Sequence, residues 1–203
     1  MAGIKLDEDW ARLLRDAFHD RPLVDLGPYR FVVNPLTEQA PATTAALLEA
    51  AARSVLAVAD LERVNLLVSE EDRGGALVGA VSLLSGLPFG MARWHPAGAP
   101  GEVRMSFAAE HLPAGWLYLN GVRPGDRVLI VEDLLSTGGT MIALIQAVRQ
   151  AGAEIADAVA VAVKSEYGGA DRVRRETGVA VKTLVRIDVG SERSRVVEPV
   201  GWE

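Results

Sequence analysis

Apolar and polar positions fall along this chain in blocks of two kinds. Short apolar runs at 64–68, 89–93, 127–131, 155–163 and 179–187 have the length of strands buried on both faces. Between them, spacings of three and four residues predict helices over 43–60, 75–85, 139–150 and about 171–177, with Gly86 and Gly152 closing the second and third. Upstream, Trp10, Leu13, Leu14, Ala17 and Phe18 share one helical face that Asp7 or Asp9 can cap. Pro22 and Pro28 then interrupt, 29–33 reads as a short strand, and a loop runs through Pro35 and Pro41. Strands alternating with helices predict an α/β fold, a parallel sheet flanked by helices on both faces.

One segment breaks the alternation. Residues 95–115 are rich in Gly, Ala and Pro and carry no sustained periodicity. A long flexible loop is expected there, and loops of that length inside a compact domain are usually lids or disordered stretches. At 203 residues, with no internal repeat and no low-complexity linker, one domain is expected to span the chain.

Composition narrows the function classes. Residues are 49% hydrophobic and 24% charged, and the longest apolar run, at 155–163, is broken by Asp157, so no membrane span is expected. The absence of cysteine excludes disulfides, thiolate catalysis and cysteine zinc sites. Lys5, Asp7, Glu8 and Asp9 do not form a secretion signal, and a cytoplasmic location is expected. A net charge of −6, with only a short basic cluster at Arg172, Arg174 and Arg175, disfavours nucleic acid as the main partner.

The chemistry concentrates in 128–140, which reads VLIVEDLLSTGGT. A buried strand carries Glu132 and Asp133 to its C-terminal end, where ligands sit in open α/β sheets. The hydroxyls of Ser136, Thr137 and Thr140, with Gly138 and Gly139, then form a turn that enters a helix, an arrangement suited to phosphate. Acids beside a phosphate site make sense if the phosphate belongs to a sugar, whose hydroxyls they accept. Their charge would also favour an oxocarbenium-like transition state. A nucleotide-triphosphate loop would need a lysine where Thr140 and Met141 stand, and the third glycine of a dinucleotide fingerprint is absent.

Glu132 to Thr140 resembles the 5-phosphoribosyl-1-pyrophosphate (PRPP) signature of type I phosphoribosyltransferases, and its LLSTGGTM wording is similar to that of adenine phosphoribosyltransferases. The stretch EDRG at 71–74 resembles the pyrophosphate loop of the adenine enzymes, while PYRFVVNP at 28–35, YLNGV at 118–122 and KTLVR at 182–186 resemble archaeal-type hypoxanthine/guanine enzymes. The resemblance spans about 22–189. It implies a small N-terminal hood at about 22–42 and Mg2+ carried by PRPP with no direct protein ligand. It also implies a homodimer and transfer of ribose 5-phosphate to a purine with release of pyrophosphate.

By the same resemblance, Glu132 and Asp133 hold the ribose, and Leu135, Ser136, Thr137, Gly138, Gly139 and Thr140 hold the 5′-phosphate. Glu71, Asp72, Arg73 and Gly74 take the pyrophosphate, with a non-proline cis peptide expected before Arg73. Glu102 is the candidate to relay the base proton, and Arg104 and Arg93 are candidates to reach pyrophosphate from the loop. Where the archaeal-type enzymes carry several basic residues, 92–96 reads ARWHP and keeps only Arg93 as a fixed cation, which points to weaker pyrophosphate binding or an altered substrate. Tyr29, Phe31, Lys164 and Tyr167 are expected around the base. The loop motifs favour adenine, whereas a lysine donor favours a 6-oxopurine. A non-catalytic PRPP-sensing regulator of the same fold is the alternative of another class.

Overall fold

Aliphatic strands that bury both faces need helices on each side, and the chain supplies them in order. The computed structural model describes residues 6–27, 29–109 and 112–197. Pro28, in the expected hood, and Glu110 and His111, in the expected loop, lie outside the described residues. The elements are α1 (Glu8–Phe18), β1 (Leu23–Leu26), β2 (Tyr29–Val32), α2 (Ala45–Val58), β3 (Leu66–Glu70), α3 (Gly74–Ser85) and β4 (Phe89–Arg93). There follow β5 (Val103–Ala109), β6 (Leu112–Asn120), β7 (Arg127–Leu135), α4 (Gly139–Gln150), β8 (Glu154–Lys164), α5 (Gly169–Thr177), β9 (Lys182–Asp188) and β10 (Arg195–Val197).

Among the described residues eight strands form one sheet in the order β10-β9-β8-β7-β3-β4-β6-β5. The five central strands, β9 to β4 in that order, run parallel, and antiparallel strands close both edges. Along β7 the side chains alternate between two apolar layers. Leu129 and Val131 join the layer built with α1, α2 and α3, and Val128 and Ile130 join the layer built with α4. Helices α3 and α4 therefore lie on opposite faces. The chain leaves β3 toward one edge of the sheet and β7 toward the other, so the crevice between their C-terminal ends is a topological switch point.

Capping follows the sequence closely. Asp7 accepts the N–H groups of Asp9 and Trp10 at the start of α1, and Gly86 ends α3 in the left-handed region.

The expected long loop is corrected in part. Residues 103–109 and 112–120 form the antiparallel pair β5–β6, and among the described residues of the expected loop 95–102 is irregular. This pair has one buried face: Met105, Leu117 and Leu119 pack on the α4 layer, and Arg104, Ser106 and Trp116 face out. A register shift between Phe107 and Ala109 breaks the period of two, which hides the strands from pattern reading. The short strands β1 and β10 also lacked a periodic signal. The first pairs antiparallel with β2, from Leu23↔Val32 to Leu26↔Tyr29, in the region expected for the hood.

Candidate active site

Two strand-to-helix turns meet at the switch point, and together they line an open cleft with Tyr29 and Trp94. The C-terminal end of β7 carries the predicted acids. Glu132 and Asp133 are each 4% exposed, and Glu132 Oε1 and Asp133 Oδ2 have no hydrogen-bond partner. Buried carboxylate oxygens without partners are costly unless a ligand satisfies them. Burial, reinforced by Glu70 and Asp133, holds Glu132 well above the usual carboxylate range. Burial and then Glu70 push Asp133 up to about 7, with Arg73 pulling the other way. Both acids resist ionisation, and a ligand bringing hydroxyl donors to their oxygens would oppose that.

Leu135 to Thr140, the residues expected to cradle phosphate, line the same cleft. Gly138 has φ +84°, and a Cβ there would come within 2.9 Å of Gly169 O. A Cβ on Gly169 would lie 2.0 Å from Ser136 O, so the turn is pressed against the start of α5, where only glycine fits. No side chain of the N-cap residue closes the start of α4. The Ser136 hydroxyl shares a 2.8 Å hydrogen bond with Tyr29, which ties the β1–β2 sheet to the cradle.

The turn after β3 has a different economy. Glu70, 5% exposed, folds back on its own turn: Oε1 accepts the N–H groups of Arg73 and Gly74, and Oε2 accepts that of Asp72, all at 2.7 Å. Gly74 permits this tight turn, since a Cβ there would lie 1.9 Å from Ser69 Oγ. Glu71 turns from the cleft and accepts the Trp94 N–H at 2.8 Å. Arg73 lies on the cleft wall, paired with Glu38 at 3.2 Å and 5.3 Å from the Phe31 ring. Glu38 is presented by a loop that the buried Asn34 organises, accepting the N–H groups of Leu36 and Thr37 and donating to Val32 O. The expected non-proline cis peptide is absent: among the described residues the cis bond is Ala40–Pro41, and the bond before Arg73 is trans.

Behind Tyr29 lies an aromatic cluster around a buried amine. The rings of Phe31 and Tyr167 sit 4.7 and 5.2 Å from Tyr29, and Lys164 Nζ is 4.0 Å from the Tyr29 ring centroid. Lys164 donates to Tyr29 Oη at 2.9 Å and to Arg30 O. Burial first, and Arg73 second, pull the Lys164 ammonium down to about 7.

The loop candidates stand apart from the cleft. Glu102 accepts Asn120 Nδ2 at 2.8 Å and the N–H groups of Ala97 and Gly98, and those bonds, Asn120 first, hold its carboxyl below the ordinary value. Arg104 stacks on Trp116 at 3.7 Å, and Arg93 is exposed at the end of β4. Their side chains contribute nothing to the lining. Glu70 and Glu38 were not anticipated. Glu70 had a legible signal, because Glu70-Glu71 after an aliphatic strand repeats the placement of Glu132-Asp133. Glu38 had none, since it arrives through the fold of a loop.

Residues 95–188 match the phosphoribosyl transferase domain. A hypoxanthine/guanine phosphoribosyltransferase of Methanocaldococcus jannaschii is 38% identical over 177 residues, covering 87% of this chain and 95% of that protein. One from Methanothrix thermoacetophila is 36% identical over 190 residues, covering 94% and 97%. In fold, the chain is similar to the adenine phosphoribosyltransferase of Rhodothermus marinus, with a TM-score of 0.71 at 23% identity over 87% of this chain and 98% of that one. A strand-borne pair of orphaned acids, a glycine cradle and this degree of kinship lead to one conclusion: the chain belongs to the type I phosphoribosyltransferases and is a purine phosphoribosyltransferase.

Proposed function

We propose that this enzyme transfers the 5-phosphoribosyl group of PRPP to a 6-oxopurine, hypoxanthine or guanine, and releases pyrophosphate. The observation that carries the choice of base is the buried Lys164 amine. It has three donors as an ammonium, two are used on Tyr29 and Arg30, and one remains for an acceptor such as a 6-oxo group. A 6-amino group would bring a donor against a donor. The names of the curated relatives support the same choice, and the preference for adenine drawn from the loop motifs gives way to it.

In this reading Ser136 to Thr140 cradle the 5′-phosphate at the positive end of α4. Glu132 Oε1 and Asp133 Oδ2 accept the ribose hydroxyls, and their charge favours positive character at the anomeric carbon as pyrophosphate departs. Arg73 and the β3–α3 turn receive the pyrophosphate. Mg2+ would be carried by PRPP, bound mainly through substrate oxygens and water, and would supply charge neutralisation at the leaving group beside Arg73. Glu102, held on Asn120, positions the 95–102 loop in place of relaying a proton.

Two copies are proposed to pair through the end of α3, where Leu83 is 88% exposed beside Leu84 and Phe89. Sedimentation of Leu83→Glu as a monomer beside a wild-type dimer would bear this out; identical sedimentation would not. Among the described residues no helix is long and apolar enough to cross a membrane, and a cytoplasmic location is proposed.

Incubation with PRPP, Mg2+ and a panel of bases, following pyrophosphate release, tests the assignment. Release is expected with hypoxanthine or guanine and at least tenfold less with adenine, a factor of about 1.4 kcal/mol in transition-state binding. Faster release with adenine overturns the choice of base, and none with any purine overturns the reaction.

A further inference from the structure

The leaving-group end of the cleft is already occupied by the chain itself. Three consecutive N–H groups, those of Asp72, Arg73 and Gly74, converge at the start of the 12-residue helix α3, which is where a phosphate would be held by backbone donors. The Glu70 carboxylate takes all three at 2.7 Å. Among the described residues the cation that lines that wall, Arg73, is likewise taken, by Glu38 of the loop after β2. On the other side of the same cleft the pattern is reversed: the fully buried oxygens Glu132 Oε1 and Asp133 Oδ2 have no partner at all. One half of the cleft is thus primed for a ligand, and the half facing it is satisfied internally.

We propose that Glu70 and Glu38 are internal competitors of pyrophosphate, occupying its backbone nest and its arginine until the diphosphate displaces them. The inference rests on the reaction assigned above and adds residues that set how tightly its leaving group is held. Charge-assisted hydrogen bonds to carboxylate and to phosphate draw on the same donors, so each gained by pyrophosphate is one lost by an internal acid. The two acids also add negative charge beside a polyanionic ligand. Both effects weaken pyrophosphate binding and favour its release after transfer. They accord with the scarcity of cations at 92–96, where Arg93 alone keeps a fixed positive charge and faces out.

Glu70 is a positioning residue whose role as a cap and whose role as a competitor predict opposite results. If it only caps α3, its removal loosens the turn and weakens whatever binds there. If it competes, its removal strengthens binding despite some loss of stability.

The test is calorimetric titration of the purified enzyme with magnesium pyrophosphate, comparing wild type, Glu70→Gln and Glu38→Gln, with the melting temperature followed in parallel. Glu70→Gln keeps the side chain's shape and one accepting oxygen but lacks the charge. It is expected to bind pyrophosphate on the order of tenfold more tightly, and Glu38→Gln about threefold, on the usual scale of single charge-assisted contacts. Glu38 is partly exposed and outside the sheet, so its variant tests the idea even if the first folds poorly. Equal or weaker binding by the folded variants overturns the inference and leaves the reaction standing. If neither wild type nor either variant binds pyrophosphate, the assigned reaction falls and the inference with it.

Discussion

The two turns at the switch point are built to one plan and finished differently. Each follows a buried parallel strand with paired acids at or near its C-terminal end, and each opens into an apolar helix through glycine. At the end of β7 the acids line the cleft with oxygens unsatisfied, and Ser136 to Thr140 line it beside them. After β3 the first acid folds back onto the N–H groups of its own turn, and the second fixes the backbone of Trp94. The difference separates what a turn does for stability from what it does for binding. A satisfied turn supports the fold, whereas an orphaned acid costs the empty protein free energy that only a ligand returns.

That contrast is broken most directly at Asp133. In Asp133→Asn, kcat/KM is expected to fall by on the order of 10²–10³, the usual scale for removing a group that stabilises transition-state charge. Stability should move the other way. The folded-state value of about 7 lies above the ordinary 3.8, so the folded protein holds the proton more tightly than the unfolded chain. The stability attributable to Asp133 is therefore intact below its unfolded value, declines as pH rises toward 7, and stays diminished above it. The ligand-free variant should then melt higher than wild type at pH 8, by roughly 2–4 °C if about 1 kcal/mol is recovered, and equally at pH 4. Equal melting at pH 8 would show that the orphaned oxygen carries no cost.

Lys164→Met gives the next largest effect. Loss of the spare donor should lower kcat/KM for hypoxanthine or guanine by about 10–100-fold, the scale of one buried hydrogen bond to a base. Binding of ribose 5-phosphate should change little, because the amine lies behind Tyr29 and outside the cradle. The sign at Lys164 is opposite to that at Asp133. A depressed ammonium destabilises the fold fully below about 7, and the penalty disappears as pH rises toward its unfolded value. The stabilisation by Lys164→Met is therefore expected at pH 6 and not above pH 10. An equal loss for ribose 5-phosphate and base would place Lys164 in the folding of the hood.

Gly169→Ala separates the cradle from its buttress. The added Cβ meets Ser136 O at 2.0 Å, so the turn must shift. Ribose 5-phosphate affinity should drop by about tenfold, the effect of a displaced contact of about 1.4 kcal/mol. Unchanged affinity in a calorimetric titration would mean that α5 does not shape the cradle.

How much of this was legible follows from the range of each interaction. The β7 turn could be read outright, because strand, acids, hydroxyls and glycines are adjacent, and local order fixes their geometry. The helices and parallel strands came through the periods of 3.6 and of continuous burial. The β5–β6 pair did not, since its bulge interrupts the alternation and its outward face mixes Arg104, Ser106 and Trp116. Glu71 was assigned to the cleft by its place beside Arg73, yet the N–H of Trp94, 23 residues away, draws it aside. The Arg73–Glu38 pair and the Lys164–Tyr29 bond link residues 35 and 135 apart, and nothing in either local sequence announces its partner.

The smallest predicted effect joins the two turns. Ribose 5-phosphate brings hydroxyls that need charged acceptors, so below about pH 7 its binding must expel the Asp133 proton. From Asp133 alone the affinity should fall by up to about tenfold per pH unit below that midpoint. A sugar phosphate with no base keeps Lys164 out of the measurement, and a window of roughly pH 6.5–8.5 stays above the phosphate's own ionisation near 6. Part of the elevation at Asp133 comes from Glu70 across the cleft. Glu70→Gln should therefore shift the midpoint of the affinity profile to lower pH without changing its plateau, while Asp133→Asn should flatten it. An unmoved midpoint in Glu70→Gln would mean that the two turns do not feel each other's charge and that burial alone sets the ionisation of the ribose acids.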